Sequence, residues 1–183
     1  MAFLVAALVL VGLLAVVNLL FTLDLVRRLR KHTELISKMG TAGPMRGATM
    51  LPAGQSVGAY TATTVDGATL SADDRDGSEL VGFFSLGCQP CAERLPEFVA
   101  GAADHPGGRH RVLAVVAGRD DEGDAQSYVD DLAPVARVVR EEMGGPLQKA
   151  FTVQGYPAIG VVDGSGVVVT SGTTMPDLAP ANA

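Results

Sequence analysis

The sequence predicts an α/β domain built on a mixed sheet, and three observations predict it. Short apolar runs alternate with helical segments from about Leu80 to Phe151, the pattern of strands joined by crossover helices. Two further runs, Ala158 to Val162 and Gly166 to Thr170, are separated only by Asp163-Gly164-Ser165, so the sheet closes in an antiparallel hairpin. A β-branched run, Tyr60 to Val65, turns at Asp66-Gly67 toward Ala68-Thr69-Leu70 and forms a second hairpin at the start of the domain.

The elements follow in order. Residues 1–23, Met1 through Leu23, contain no charged side chain. A run of that length spans a bilayer, which takes about 20 residues. With no basic region ahead of it and no small-residue cleavage site, it reads as a retained anchor. Asp24 to Met39 continues with apolar residues near every fourth position, Leu25, Leu29 and Ile36 among them, which is helical spacing for a juxtamembrane stalk. Gly40 to Pro44 ends that helix, and a linker rich in Gly and Pro runs to residue 54. The folded domain is expected over residues 55–183.

Within it, Asp73 to Ser78 is a charged loop and Leu80 to Ser85 a strand. Ala92 to Ala102 reads as a helix, kinked or restarted at Pro96. Arg111 to Ala117, with six consecutive apolar residues from Val112 on, is a buried strand. Asp124 to Leu132 is a short helix, Ala136 to Val139 a short strand, and Pro146 to Phe151 a helix with proline at a favourable first position.

Charge excludes some functions. Residues 1–54 carry six Lys/Arg against two Asp/Glu, a net of +4, while the remainder carries eight against eighteen, a net of −10. An acidic domain of this kind is not built to bind nucleic acid or to lie flat on anionic lipid.

The only two cysteines are Cys88 and Cys91. They stand between the strand at Leu80 to Ser85 and the helix that follows. A cysteine at a helix N-terminus faces unpaired backbone N–H groups and the positive end of the helix dipole, which favour the thiolate. The thiolate is the nucleophile of thiol–disulfide exchange, and the second cysteine, one turn on, is placed to resolve a mixed disulfide. A structural zinc site takes four ligands, and His32, His105 and His110 show no paired spacing, so no metal or other cofactor is expected. A purely structural bridge across so short a loop gains little from closure.

Three segments carry a resemblance. Phe83 through Cys91, with Leu95-Pro96, resembles the active-site strand, CxxC pair and helix of thioredoxin-fold proteins. Val153-Gln154-Gly155-Tyr156-Pro157-Ala158 resembles that fold's segment around its cis-proline, and Val161 through Gly166 its closing hairpin. With the opening hairpin and the anchor, the chain is similar to the TlpA/ResA-like and MauD-like membrane-anchored oxidoreductases over roughly residues 55–172. The resemblance implies a thioredoxin-like fold and a tethered thiol–disulfide oxidoreductase. Cys88 is then the attacking thiolate and Cys91 the resolving thiol. Gln89 and Pro90 tune the potential, Pro157 is cis, and Tyr156 lines the substrate groove. The implied partners are protein dithiols or disulfides, an electron-transfer partner and the membrane.

The pattern also departs from the family. Gly87 replaces a bulky residue before the first cysteine. Gly82 stands where thioredoxin has a buried acid, and Glu79 lies near it in another register. The chain after Gly172 is short and broken by Pro176 and Pro180. Two alternatives stay open. A peroxiredoxin-like enzyme is similar at Ser85 but has Val81 where a proline is needed. A copper-delivery protein of the same fold needs a CxxxC pair and a distal histidine, and no histidine follows His110. Orientation is in conflict. Arg27, Arg28, Arg30 and Lys31 follow the anchor and no basic residue precedes it, which favours a cytoplasmic domain. The resemblance implies an extracytoplasmic one.

Overall fold

The computed structural model describes residues 48–119, 121 and 123–176, together with Gly12. The expected anchor and stalk lie outside the described residues, Gly12 apart, and among the described residues no helix is long and apolar enough to cross a membrane. The chain divides into two units, Met1–Pro44 and Met45–Ala183, and everything below concerns the second.

Its elements are β1 (Thr61–Thr63), β2 (Thr69–Ser71), β3 (Glu79–Ser85), α1 (Gln89–Ala103), β4 (Val112–Ala117), α2 (Ala125–Leu132), β5 (Arg137–Glu141), α3 (Pro146–Ala150), β6 (Ala158–Val162) and β7 (Val168–Gly172). β1 and β2 form the opening hairpin. The other five strands form one sheet in the order β5-β4-β3-β6-β7. β3 runs parallel to β4, and β4 to β5. β6 is antiparallel to both β3 and β7. The sheet is mixed, as the alternation and closing hairpin predict.

Side chains on a strand alternate between faces, and here both faces are covered. Leu80, Phe84, Val112, Ala114, Val116, Ile159 and Val161 pack on one side against Leu95, Phe98 and Ala102 of α1 and Leu132 of α2. Val81, Phe83, Leu113, Val115 and Val162 pack on the other against Leu147, Ala150 and Phe151. This is why β3 and β4 read as continuous apolar runs. Aromatic pairs lock both layers: Phe84 meets Phe98 edge-on at 5.2 Å, and Phe83 meets Phe151 at 5.1 Å.

Three boundaries differ from the sequence reading. The helix after the cysteines starts at Gln89 and runs without a restart through Pro96. The last strand starts at Val168, because Gly166 is spent on the turn with φ +85°. Part of the expected linker belongs to the core. Met50 is fully buried and Leu51 nearly so, Leu51 N–H donates to Phe151 O at 2.9 Å, and Gln154 N–H donates to Thr49 O at 2.8 Å. Ser56 then bridges to Val167 and Thr64 to Val139, so the chain crosses one face from the β7 edge to the β5 edge. Among the described residues no helix follows β7. Met175 packs against the α1 layer.

Candidate active site

β3, the central strand, ends at Ser85, and Leu86-Gly87 turns the chain into α1. The turn needs glycine at position 87, where φ is +68°. It is also crowded: a Cβ on Gly123 would lie 3.0 Å from the Gly87 nitrogen. Gly87 thus has a conformational reason to replace a bulky residue.

Cys88 is the N-cap of α1, with extended backbone (φ −90°, ψ 106°). Its Sγ accepts from Cys91 N–H at 3.3 Å, and its carbonyl accepts from Ala92 N–H at 3.2 Å. Pro90 falls in the first turn, where a missing N–H costs nothing because it has no intrahelical acceptor. That is why the helix can begin three residues before Ala92. Cys88 and Cys91 are joined by a disulfide, with Cα atoms 5.2 Å apart. Their surroundings differ sharply: Cys88 is half-buried, whereas Cys91 is fully buried in the Phe84–Leu95–Phe98 cluster. Ser85 N–H points at Cys91 Sγ from 3.5 Å. Gln89 and Pro90 are exposed, and Gln89 Nε2 donates to Glu93 Oε1 at 3.0 Å.

The second predicted segment arrives at the same end of the sheet. Ala158 pairs with Phe83, so Pro157 lies beside the last residues of β3. The Tyr156–Pro157 peptide is cis and Pro157 is buried. Tyr156 packs against both core layers, and its hydroxyl donates to Gln148 Oε1 at 2.5 Å. Burial, and secondarily the charge of Glu141, push the Tyr156 phenol up to about 12, so it stays a donor at neutral pH.

Sequence reasoning missed the network behind Tyr156. Gln148 Nε2 donates to Glu141 Oε2 at 3.1 Å and to Glu142 O at 2.8 Å. Glu141 also accepts from Leu147 N–H at 2.8 Å and Gln148 N–H at 3.3 Å. The available signal was a glutamine among the buried positions of a short apolar helix, since buried amides are kept only where partners exist.

Neither acid position inspected in the sequence serves the cysteines. At Gly82 a Cβ would lie 2.5 and 2.7 Å from ring carbons of Phe98, so the phenyl ring occupies the space an acid would need. Glu79 opens β3 and Ser85 closes it, which separates them by about 20 Å. Glu79 is instead buried between Arg75 (3.4 Å) and Arg137. Burial pushes its carboxyl up against the pull of Arg137 and Arg75. Glu93 and Glu97 are exposed on α1, and Glu97 pairs with Arg94 at 2.8 Å. Of the three histidines, His32 lies outside the described residues, His105 is buried and His110 follows α1. Among the described residues no three His, Cys, Asp or Glu side chains gather to hold a metal.

No protein-family model and no curated protein matches the chain. Solved structures do. The chain is similar to an uncharacterized conserved protein from Geobacillus kaustophilus, at 18% identity over 78% of this chain and 79% of that one, with a TM-score of 0.57. It is similar to the thioredoxin domain of a thiol-disulfide oxidoreductase from Bacteroides vulgatus, at 19% identity over 70% and 93%, with a TM-score of 0.53. It is also similar to a thiol:disulfide interchange protein from Bacteroides sp., at 20% identity over 66% and 81%, with a TM-score of 0.50. At these identities the likeness is one of fold: the domain has the thioredoxin-like α/β fold.

Proposed function

We propose that this chain is a membrane-tethered thiol–disulfide oxidoreductase acting on protein dithiols or disulfides through Cys88 and Cys91. One observation carries the reading: Cys88 sits half-exposed at a helix N-cap while Cys91 is fully buried one turn on. In the reduced protein the Cys88 thiolate attacks a substrate disulfide. The substrate S–S bond breaks, a mixed disulfide forms, and the departing sulfur takes a proton. Cys91, as thiolate, then attacks Cys88 Sγ and releases the second substrate thiol. Two electrons pass from the protein dithiol to the substrate, and a separate electron-transfer partner restores the dithiol. The helix N-terminus and the Cys91 N–H favour the Cys88 thiolate. Gln89 and Pro90, over the helix start, tune the potential. Tyr156 and Pro157 form the wall against which the substrate lies.

Residues 1–23 supply the tether in this proposal. The basic cluster after them favours a cytoplasmic domain. A side-specific reporter fused to the C-terminus tests this, and an external signal would place the domain where the family resemblance does.

The chemical test is alkylation of the reduced protein at limiting reagent. Cys88 takes the label first. Cys88→Ser abolishes exchange, and Cys91→Ser accumulates a mixed disulfide through Cys88. Preferential labelling of Cys91 overturns the assignment.

A further inference from the structure

We propose that a cavity at the other end of the sheet from the cysteines, lined by Arg75, Arg111 and Arg137, binds a small phosphate-bearing anion. The proposal goes beyond the oxidoreductase reading and does not depend on it.

The fold brings these cations together from three places. β3, β4 and β5 are parallel and begin at the same end, since Leu80 pairs with Val112 and Leu113 with Arg137. Arg111 stands just ahead of β4 and Arg137 opens β5. Arg75 comes from the loop that leads into β3. With His110 they line a cavity of about 290 Å³. That is the small end of the range for ligand pockets, and it suits a compact polar group.

Charge sets the cavity apart. Beyond residue 54 the chain has eight Lys/Arg against eighteen Asp/Glu, yet three of the eight gather here. Three acids also line the cavity, Asp74, Asp76 and Glu79, but they are not equivalent. Asp74 is exposed and its carboxylate accepts from Ser71 N–H. The Asp76 side chain is 85% exposed. Water weakens the field of both. Glu79 alone is buried, and two guanidiniums share it, Arg75 Nε at 3.4 Å from one oxygen and Arg137 Nη2 on the other. One buried carboxylate between two arginines, with Arg111 beside them, leaves an excess of positive charge.

Donors are left over as well. Arg137 Nε is buried and has no hydrogen-bond partner, and a buried donor in that state calls for an acceptor. Arg111 engages Asp76 through Nη2, at 3.3 Å from the carbonyl oxygen and 3.2 Å from Oδ1. The pair is half in solvent and holds the arginine weakly. What fixes Arg111 is Gly77. A Cβ there would lie 1.7 Å from Arg111 Nη1 and 2.7 Å from Cζ, so the guanidinium fills the space a side chain at position 77 would take.

Guanidinium forks match phosphate and carboxylate oxygens alike. Here they come from the ends of three strands, and Glu79 already supplies one planar carboxylate. A tetrahedral dianion presents acceptors in several directions and carries the charge that Glu79 lacks. A second monocarboxylate does neither.

The test is calorimetric titration of the full chain in detergent, at fixed ionic strength, with inorganic phosphate, glycerol 3-phosphate and acetate. Both phosphates bind at one site, and acetate binds at least about tenfold more weakly, the worth of one charge-assisted hydrogen bond. The tighter of the two phosphates distinguishes free phosphate from a monoester as the ligand. Arg111→Gln weakens phosphate binding by about tenfold or more. Gly77→Ala displaces only the tip of a flexible side chain and weakens binding less than Arg111→Gln does. Arg94→Gln, an exposed arginine on α1, changes nothing. A readout that needs no variant is the amide spectrum of the natural protein, in which phosphate shifts the signals of Gly77, Arg111 and Arg137. Equal affinity for acetate and phosphate overturns the site, as does undiminished binding in Arg111→Gln. Amide shifts centred elsewhere, or no saturable binding, overturn it too. None of these measurements involves disulfide exchange, so failure here leaves the oxidoreductase reading untouched, and the reverse holds.

Discussion

The two ends of β3 bury reactive groups by opposite means. Past Ser85, at the C-terminal end, Cys91 is fully enclosed by Phe84, Leu95 and Phe98, and its polar contact is the Ser85 N–H. At the N-terminal end Glu79 is equally enclosed, but between two arginines. Arg75 also donates to Ala72 O and to the Tyr60 hydroxyl, and lies 5.4 Å from the Tyr60 ring centroid. The difference follows from the atoms. A sulfur in a disulfide is nearly apolar and can be buried dry, then released as a thiolate when the bond opens. A carboxylate cannot be buried without compensation, so Glu79 ties the opening hairpin to the sheet and does no chemistry.

That contrast can be broken. The largest effect is expected at the ionic end. Glu79→Leu leaves the arginine charges uncompensated and costs about 3–5 kcal/mol, the usual loss on removing one partner of a buried pair. Urea unfolding reads this directly. The rate of exchange with a small disulfide should not change, because the cysteines are at the other end of the strand. A slowed exchange in a protein that is still folded would mean the two ends communicate.

Gly82 probes the middle of the same strand. Gly82→Ala drives a methyl group into the Phe98 ring and should cost about 1–3 kcal/mol by overpacking. Gly82→Asp should cost more, because it adds a polar group to the same filled space. A Gly82→Asp protein as stable as the parent, by thermal melting, would show that the layer yields and an acid can be housed there after all.

His105 supplies a pH test beyond either end. It is buried, its Nδ1 has no hydrogen-bond partner, and burial, with Arg111 nearby, lowers its pKa. The folded state therefore binds the proton less readily than the unfolded state. Stability is fully present above the unfolded value of about 6.5 and falls as pH drops below it. His105→Gln should lose less stability than the parent between pH 7 and pH 5. Parallel curves for the two proteins would remove His105 as the cause.

The smallest effect belongs to Thr152, a β-branched residue held at φ +50° just after α3. Thr152→Gly relieves the left-handed strain, about 1–2 kcal/mol, but frees the unfolded chain by about 0.5–1 kcal/mol. The net is a gain of at most about 1.5 kcal/mol, visible as a small shift in the urea midpoint. A destabilised Thr152→Gly would mean the threonine side chain holds the loop by contacts that outweigh its backbone strain.

How much of this was legible depends on how far apart the cooperating residues stand. Every strand of the sheet was readable, because apolar runs and turn residues act over a few positions. Cys88 and Cys91 were readable for the same reason. The expected helix start at Ala92 lies three residues late, because Gln89 and Pro90 add nothing to the apolar periodicity and only the cap geometry at Cys88 puts them in the first turn. Glu79 was visible only as a stray acid, since Arg137 is 58 positions away. Gln148 was hidden by its apolar neighbours. Met50 and Leu51 were hidden by their surroundings: Pro52, Gly54 and the polar residues around them are linker composition, and only the long-range pairing with Phe151 makes the segment part of the core.

That last pairing sets where the domain can be cut. Thr49 O accepts from Gln154 N–H and, at 3.3 Å, from Gly155 N–H, two residues of the loop that leads to Pro157. A protease acting upstream of Thr49 sheds a domain whose core and loop are intact. One acting just past Leu51 removes a fully buried methionine and also unfastens the strap that holds the loop at the cysteine pair. A few residues therefore separate release of an intact domain from its disruption.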